Sequence, residues 1–417
     1  MRILITNFYF RGRSGSEIVT AELALGLLHR GHQVAVYAPL ASGAFAEDVR
    51  RRGVVVIDAL SDLPWQPDLI HGHHNAVLAA ALLWFPQAPA VLVSHHPEFW
   101  IEGPLAAPQI KKVFAVSEAC RDRLVTEGGL APEQVGLLLN AVDLDRFQQR
   151  PALPHRPRRA LVLTKNSGHL PALREAASAA GLELDELGSG VDVVVDDLHA
   201  RLPGYDMVFA TGRMALEALA CGCAVVVVDA RGLGGMVTSD ALEAWRRHNL
   251  GQRLLQHPVT VAALLDEIAR YDAEDAREVT DRIRASASLQ ASLDEIEAIH
   301  RSVVADRSLP GLAPDRPAVA RLYERVMRHM AVNKHWWQDL SKGQSDAERL
   351  GFQLAELQQQ LRRSQVELDF LRDERRRYDG DAAALRAQHQ AVLDTWSWRM
   401  TAPARWVRRR IDGARRQ

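Results

Sequence analysis

The stretch ATGRMALEALACGCAVVVVDARG, residues 210–232, constrains the fold of this 417-residue chain more than any other. Thr211 can cap a helix and Gly212 permits a tight turn ahead of it, so the helix is expected to start near Arg213. Met214, Leu216, Ala218 and Leu219 are small or apolar helix formers, and Gly222 is placed to stop the helix. Val225 to Val228 form a β-branched run, the pattern of a parallel strand covered on both faces. Asp229 ends that strand at its carboxyl edge, where open α/β sheets bind ligands.

The chemistry implied is anion binding. Free N–H groups and the macrodipole at a helix start favour phosphate. Arg213, in the first turn, runs against the dipole preference for acidic residues there. It fits if it faces a diphosphate, which a guanidinium can grip with two N–H groups. Glu217 lies one turn further on and could accept bonds from a ribose diol. The alternative is a surface i, i+4 ion pair between Arg213 and Glu217.

The rest of the chain repeats this alternation. Residues 2–8 read as a strand, followed by FRGRSGSE, a helix from Ile18 to His29 ended by Gly31, and a strand at 33–37. That is a βαβ unit with a Gly-rich loop at its helix start. Strands at 54–57, 68–71, 91–94 and 113–116 follow, several ending in polar clusters, which is the doubly wound pattern. Residues 148–159, with Pro151, Pro154 and Pro157, read as an interdomain linker. Residues 160–163 then start a second α/β domain with strands expected at 191–195, 207–209 and 224–228. The glycines of RGLGGM, after Asp229, either let backbone amides approach a ligand or make a turn. Residues 259–305 are helical in pattern.

Composition narrows the function classes. A hydrophobic share of 47% and a charged share of 25% are those of a soluble globular protein, and a net charge of -1 excludes a generally basic nucleic-acid binder. Cys120, Cys221 and Cys223 make no disulfide framework and fit a reducing compartment. Cys221 and Cys223 have no complementary Cys/His set nearby, so no metal site is expected. MRILITNFYF reads as a first strand, not a leader, and the apolar residues 76–93 are broken by Pro86 and Pro89. The expected location is the cytoplasm.

ALEALACGCAVVVVDARGLGG resembles the nucleotide-sugar signature of the retaining glycosyltransferases with the GT-B fold, of the family-4 type. DLIHGHH, VFAVSEACRDRL and LLNAVDLDRF resemble family segments in the family's order, and SLDEIEAIHRSVV resembles the late helix that crosses back onto the first domain. The resemblance implies two doubly wound Rossmann-like α/β domains: an acceptor-side domain over 1–150 and a nucleotide-sugar-binding domain over 157–306. It implies that Glu217 holds the donor ribose, that Gly15 approaches the donor diphosphate, and that His95 touches the donor sugar, with His96 in the alternative register. It offers Lys165 for the diphosphate, the alternative being a solvated loop residue; where the family has a further Arg, the Thr211–Gly212–Arg213 helix start supplies the charge through Arg213. The family's first glutamate falls at Phe209, a departure. Asn140 and Asp143 are either site residues or turn residues. Glu17 is either part of the Gly-rich loop's chemistry or a helix-start acid. The cluster His71, His73, His74, His95 and His96 suggests metal at first sight, but transfer of this type needs none, and no cofactor beyond the donor is expected.

A Pro-rich break at 310–317 precedes a helical extension over 318–394. Leu350, Leu354, Leu357, Leu361, Leu368 and Leu371 follow a heptad seam, extended by Tyr378, Ala382 and Leu385 and interrupted by Ser364 and Arg375. The spacing predicts a coiled coil and a homodimer; the alternative is a single helix packed back on the domains. The end, residues 395–417, combines Trp396, Trp398 and Trp406 with seven Arg and one Asp, a composition suited to an anionic membrane surface.

The expected activity is transfer of a sugar, with retention, from a nucleotide-sugar donor to a glycan or lipid-linked glycan acceptor in cell-envelope polysaccharide biosynthesis, at the inner face of the cytoplasmic membrane. The alternatives are a non-catalytic glycosyltransferase-like scaffold and a sugar-nucleotide epimerase.

Overall fold

In the computed structural model, the β-branched runs become the parallel strands of two sheets. The structure describes residues 1–306, positions 320, 323, 324, 327, 328 and 331, and residues 365, 368, 371, 372, 375–377 and 379–414. Contacts divide the chain into Met1–Asn333 and Lys334–Gln417.

The first domain contains β1 (Arg2–Thr6), β2 (Tyr9–Phe10), α1 (Gly15–His29), β3 (Gln33–Tyr37), β4 (Leu40–Ala41), α2 (Gly43–Arg51), β5 (Val55–Ile57), β6 (Leu69–His73), α3 (Asn75–Trp84), β7 (Ala90–Ser94), β8 (Ile110–Ala115), α4 (Glu118–Gly128) and β9 (Val135–Leu137). Seven of its strands lie in the order β5-β3-β1-β6-β7-β8-β9, all parallel, and β2 pairs with β4 apart from them. The order reverses beside β1, the crevice where a doubly wound sheet takes its ligand.

The second domain contains β10 (Arg159–Leu163), α5 (Leu170–Ala179), β11 (Glu183–Leu187), α6 (Leu198–Arg201), β12 (Met207–Ala210), α7 (Gly212–Cys221), β13 (Ala224–Asp229), β14 (Gly232–Met236), α8 (Leu242–Arg247), α9 (Val261–Ala269) and α10 (Ala273–Ser286). The order is β11-β10-β12-β13-β14. Two expectations are corrected here. Residues 191–195 are not a strand: Val193 and Val194 are exposed, and the edge strand is Glu183–Leu187. Its charged residues are tolerated because an edge strand is only partly covered. RGLGGM is not a free turn: Gly232–Met236 pairs antiparallel with β13. A Cβ on Gly232 would lie 2.7 Å from the Leu255 carbonyl oxygen and one on Gly234 3.0 Å from that of Leu254, so only glycine lets that backbone pack there.

The last helix of the 157–306 span, α11 (Leu289–Ala305), packs on the first domain. Leu293, Ile296 and Val303 join the cluster built around Ile3, Ile5 and Leu27. Arg30 and His32 both bond Glu297, at 3.2 and 3.0 Å. The chain also returns through Glu324, whose carboxylate accepts the Leu60 N–H at 2.7 Å, and through Met327 and Ala331, buried with Leu60.

In the second unit, residues 381–394 are helical, followed by α12 (Trp396–Met400) and α13 (Ala402–Ala414). Leu368, Leu371 and Leu385 are exposed. Leu350, Leu354, Leu357, Leu361, Ser364 and Tyr378 lie outside the described residues. Among the described residues no helix is long and apolar enough to cross a membrane.

Candidate active site

The carboxyl edges of the two sheets face one cleft. Its walls carry Glu22 from α1, His71 and His73 from β6, His95 after β7, Asn140 from the crossover, and Arg213 from α7. The remaining cavity is about 50 Å³. That is far below the roughly 300–1,000 Å³ of small-molecule sites.

The central helix starts one residue earlier than expected, at Gly212, whose φ of +61° only glycine adopts at low cost. Its N–H donates to the Leu250 carbonyl at 2.8 Å, and the Thr211 hydroxyl makes no capping bond. Gly222 ends the helix at φ +94°. Arg213 is nearly buried. Its Nε donates to Glu217 Oε1 at 2.7 Å and its Nη2 to Glu22 Oε1 at 2.5 Å. The i, i+4 pair is therefore present, but as the inner half of a triad that spans both domains. Burial opposes the Arg213 charge, yet the two carboxylates hold its guanidinium firmly protonated. Burial raises the Glu22 carboxyl above its usual range despite Arg213. Phe209 is fully buried on β12.

Four buried histidine rings run along the first-domain wall. His95 lies over His73 with ring centroids 4.4 Å apart, His73 meets His71 at 4.9 Å, and His71 Nδ1 is 2.8 Å from His300 Nε2 on α11. Burial pushes His95 down to about 4 and His300 down to about 3, and it lowers His71 and His73 strongly. His95 Nε2 is buried without a hydrogen-bond partner among the described residues. Among the described residues, no His, Cys, Asp or Glu cluster is arranged to hold a metal ion. His96 stacks instead on the exposed Phe99, centroids 4.0 Å apart.

Glu102 holds this wall in place. Its Oε2 accepts the His95 N–H at 2.8 Å, and its Oε1 lies 3.1 Å from His74 Nε2. His74 Nδ1 accepts the Phe8 N–H at 2.9 Å, so Nε2 carries the proton that bonds Glu102. Burial acts against the Glu102 charge, but His74 and the His95 amide keep its carboxyl below the usual range. His74 sits at φ +65°, a strained backbone for a non-glycine residue. Nothing in the spacing singled out Glu102. His300 had a signal: it falls on the apolar stripe Leu293, Ile296, Val303 at helical spacing.

Of the other expected site residues, Gly15 begins α1 with open space around its Cα. Glu17 accepts the N–H groups of Arg11, Gly12 and Ser14 at 2.8, 2.9 and 3.0 Å and so fixes the Gly-rich loop. Lys165 is exposed after β10, with no ion pair among the described residues. Its loop is anchored by Asn166, whose Oδ1 accepts the Ala230 N–H at 3.0 Å. Gly15, Lys165, Thr211, Gly212 and Glu217 do not line the cavity that His95 and Arg213 share. Asp143 closes a turn by accepting from Asp145 and Arg146, whereas Asn140 bonds Asn249 across the cleft at 2.9 Å. Arg246 braces the same crossover through the Asn140 carbonyl, its guanidinium pushed down to about 10 by burial.

Further polar contacts close the cleft. Arg13 pairs with Asp196 at 2.8 Å, Arg247 with Glu118 and Arg253 with Asp122 at 2.6 Å, and Gln252 with Glu98 at 2.5 Å.

Residues 13–146 match the family described as Glycosyltransferase Family 4. A glycosyltransferase from Rickettsia africae ESF-5 is similar in structure, with TM-score 0.51 at 14% identity, over 73% of this chain and 99% of that one. The sucrose-phosphate synthase of Thermosynechococcus elongatus is similar with TM-score 0.47 at 13% identity, over 73% and 99%. No curated protein matches the sequence. The fold is that of the GT-B glycosyltransferases.

Proposed function

We propose that the chain transfers a sugar from a nucleotide-sugar donor to a glycan or lipid-linked glycan acceptor of the cell envelope, with retention of anomeric configuration and with no cofactor beyond the donor. The observation that carries this reading is the convergence of two doubly wound sheets on one cleft, where His95 and Arg213 line the same cavity. Such edges are where α/β folds hold nucleotides.

Arg213, with the N-terminus of α7, stabilises the departing diphosphate, a role that strengthens as charge develops on the leaving oxygen. Gly15 gives the diphosphate backbone access at the start of α1, and Lys165 reaches it from the opposite loop. Glu217 takes the ribose hydroxyls. The buried Nε2 of His95, free of a protein partner, bonds a hydroxyl of the donor sugar. No carboxylate pair on the cavity wall is spaced for double displacement. Attack on the face from which the diphosphate leaves is then the route to retention. The Trp/Arg-rich end brings the enzyme to an anionic membrane at the cytoplasmic face, and the extension pairs two chains. Nucleic acid has no place in this reading.

The test is a thermal-shift panel of UDP, GDP, ADP and their sugar conjugates on wild type and Glu217→Ala. A nucleotide that binds the native state raises the melting temperature, by about 2.7 kcal/mol of stabilisation at a hundredfold excess over Kd. One nucleotide giving a shift that the variant loses is the expected result. Silence across the panel would remove the donor from the reading.

A further inference from the structure

Arg213 does not offer its Nε–Nη2 edge to a diphosphate as it stands. Its Nε and Nη2 are committed to Glu217 and Glu22. One guanidinium between two carboxylates leaves a net charge of -1 on the cleft wall, which repels an incoming phosphate. Glu217 is tied to Arg213 by helix geometry, four residues along α7. Glu22 is not: it reaches Arg213 from α1 of the other domain, and Arg213 is its one polar partner among the described residues. The pocket that Glu22 and Arg213 both line, about 50 Å³, is too small for a nucleotide.

We infer that Glu22 is an internal competitor for the donor diphosphate: it occupies Arg213 and latches the domains in the empty protein, and donor binding displaces it. This rests on the donor reading proposed above. The displaced contact is carboxylate for phosphate on the same guanidinium, a like-for-like exchange that both anions can make with charge-assisted hydrogen bonds. Glu22 lies on α1 and Arg213 on α7 of the other domain, so the exchange also releases a tie between the domains. The consequence is a coupling: whatever weakens the Glu22–Arg213 contact strengthens nucleotide binding, by the reciprocity that links any two competing interactions. Glu22 is thus a positioning residue for Arg213, acting through it and not on the sugar.

Four proteins test this: wild type, Glu22→Gln, which keeps the shape and loses the charge, Arg213→Gln, and the double variant. Calorimetric titration with UDP, GDP and ADP is expected to give about tenfold tighter binding to Glu22→Gln, within the ~5–150-fold range of typical site coupling. Equal or weaker binding overturns the latch. A double-variant cycle on urea unfolding reads the empty protein without any nucleotide: Glu22 and Arg213 are expected to be coupled there, and additivity overturns the contact itself. Coupling in the empty protein with no nucleotide bound by any variant would instead defeat the donor reading and the displacement step with it. X-ray scattering supplies a further arm: a larger radius of gyration for empty Glu22→Gln supports the latch, and an unchanged one argues against domain closure through this pair.

Discussion

His71 Nδ1 and His300 Nε2 stand 2.8 Å apart in the protein interior, one on the strand that ends at the cleft and the other on the helix that returns from the second domain. One ring must present an N–H and the other a bare nitrogen, so the contact exists only while at least one imidazole is neutral.

Acid sensitivity follows. Unfolded histidines take up protons near pH 6.5, while His95 and His300 do so only near 4 and 3 in the folded chain. Their folded values are lowered, so the stability they contribute is complete above pH 6.5 and is lost as pH falls toward 3. Each such histidine contributes a slope of about 1.4 kcal/mol per pH unit inside that window. Melting temperature is expected to fall between pH 6.5 and 4 and to fall less in His300→Gln. An identical pH profile for the two proteins would contradict this account.

Glu102→Ala is expected to destabilise the chain by about 2–3 kcal/mol, because it leaves the buried His74 N–H and the His95 amide without an acceptor. Chemical denaturation measures it. The same variant frees the loop that carries His95, so the turnover rate should fall more than nucleotide affinity.

Gly188→Ala is expected to weaken nucleotide binding as well as stability. Gly188 has φ +122°, and a Cβ there would lie 2.0 Å from the Thr164 carbonyl oxygen. The strain, about 1–3 kcal/mol, falls on the loop that presents Lys165. A variant that melts early but binds nucleotide as wild type does would separate that loop from the site.

The Trp/Arg end is expected to bind anionic vesicles. In this unit Trp396, Trp398 and Trp406 are exposed, and Arg405 lies 3.7 Å from the Trp398 ring centroid. Along α13, Arg405, Arg408 and Arg409 gather on one side, and Trp406 and Val407 lie on the other together with Arg410, which stacks on the Trp406 ring at 4.4 Å. Flotation with phosphatidylserine vesicles should recover the full chain at low salt and lose it when residues 394–417 are removed. Equal recovery of both proteins would place membrane attachment elsewhere or nowhere.

Which features were legible in the sequence has a physical pattern. The strands at 33–37, 207–210 and 224–229 were readable because buried parallel strands are continuous β-branched or apolar runs. The edge strand Glu183–Leu187 was not, since its partly covered face admits Glu and Asp. The glycine strand Gly232–Met236 was not, because its pairing is imposed by β13 and by the backbone of residues 254–257 rather than by side chains. Arg213 and Glu217 could be singled out because an arginine in a first helical turn breaks a local rule. Glu22 broke none: on its own helix it is an ordinary acidic residue.

Sequence alone therefore determined the layered α/β plan, the helix and strand that carry the candidate site, and the sheet edge beside which they lie, since all three follow from period, capping and branching within a few residues. Tertiary structure alone decided that Arg213 is held by Glu22, that Glu102 orients the histidine wall, and that His71 meets His300. These pairs are 191, 7 and 229 residues apart, and what joins them is the desolvation of charged and polar groups in one closed cleft, a cost that only the folded chain imposes and only its partners offset.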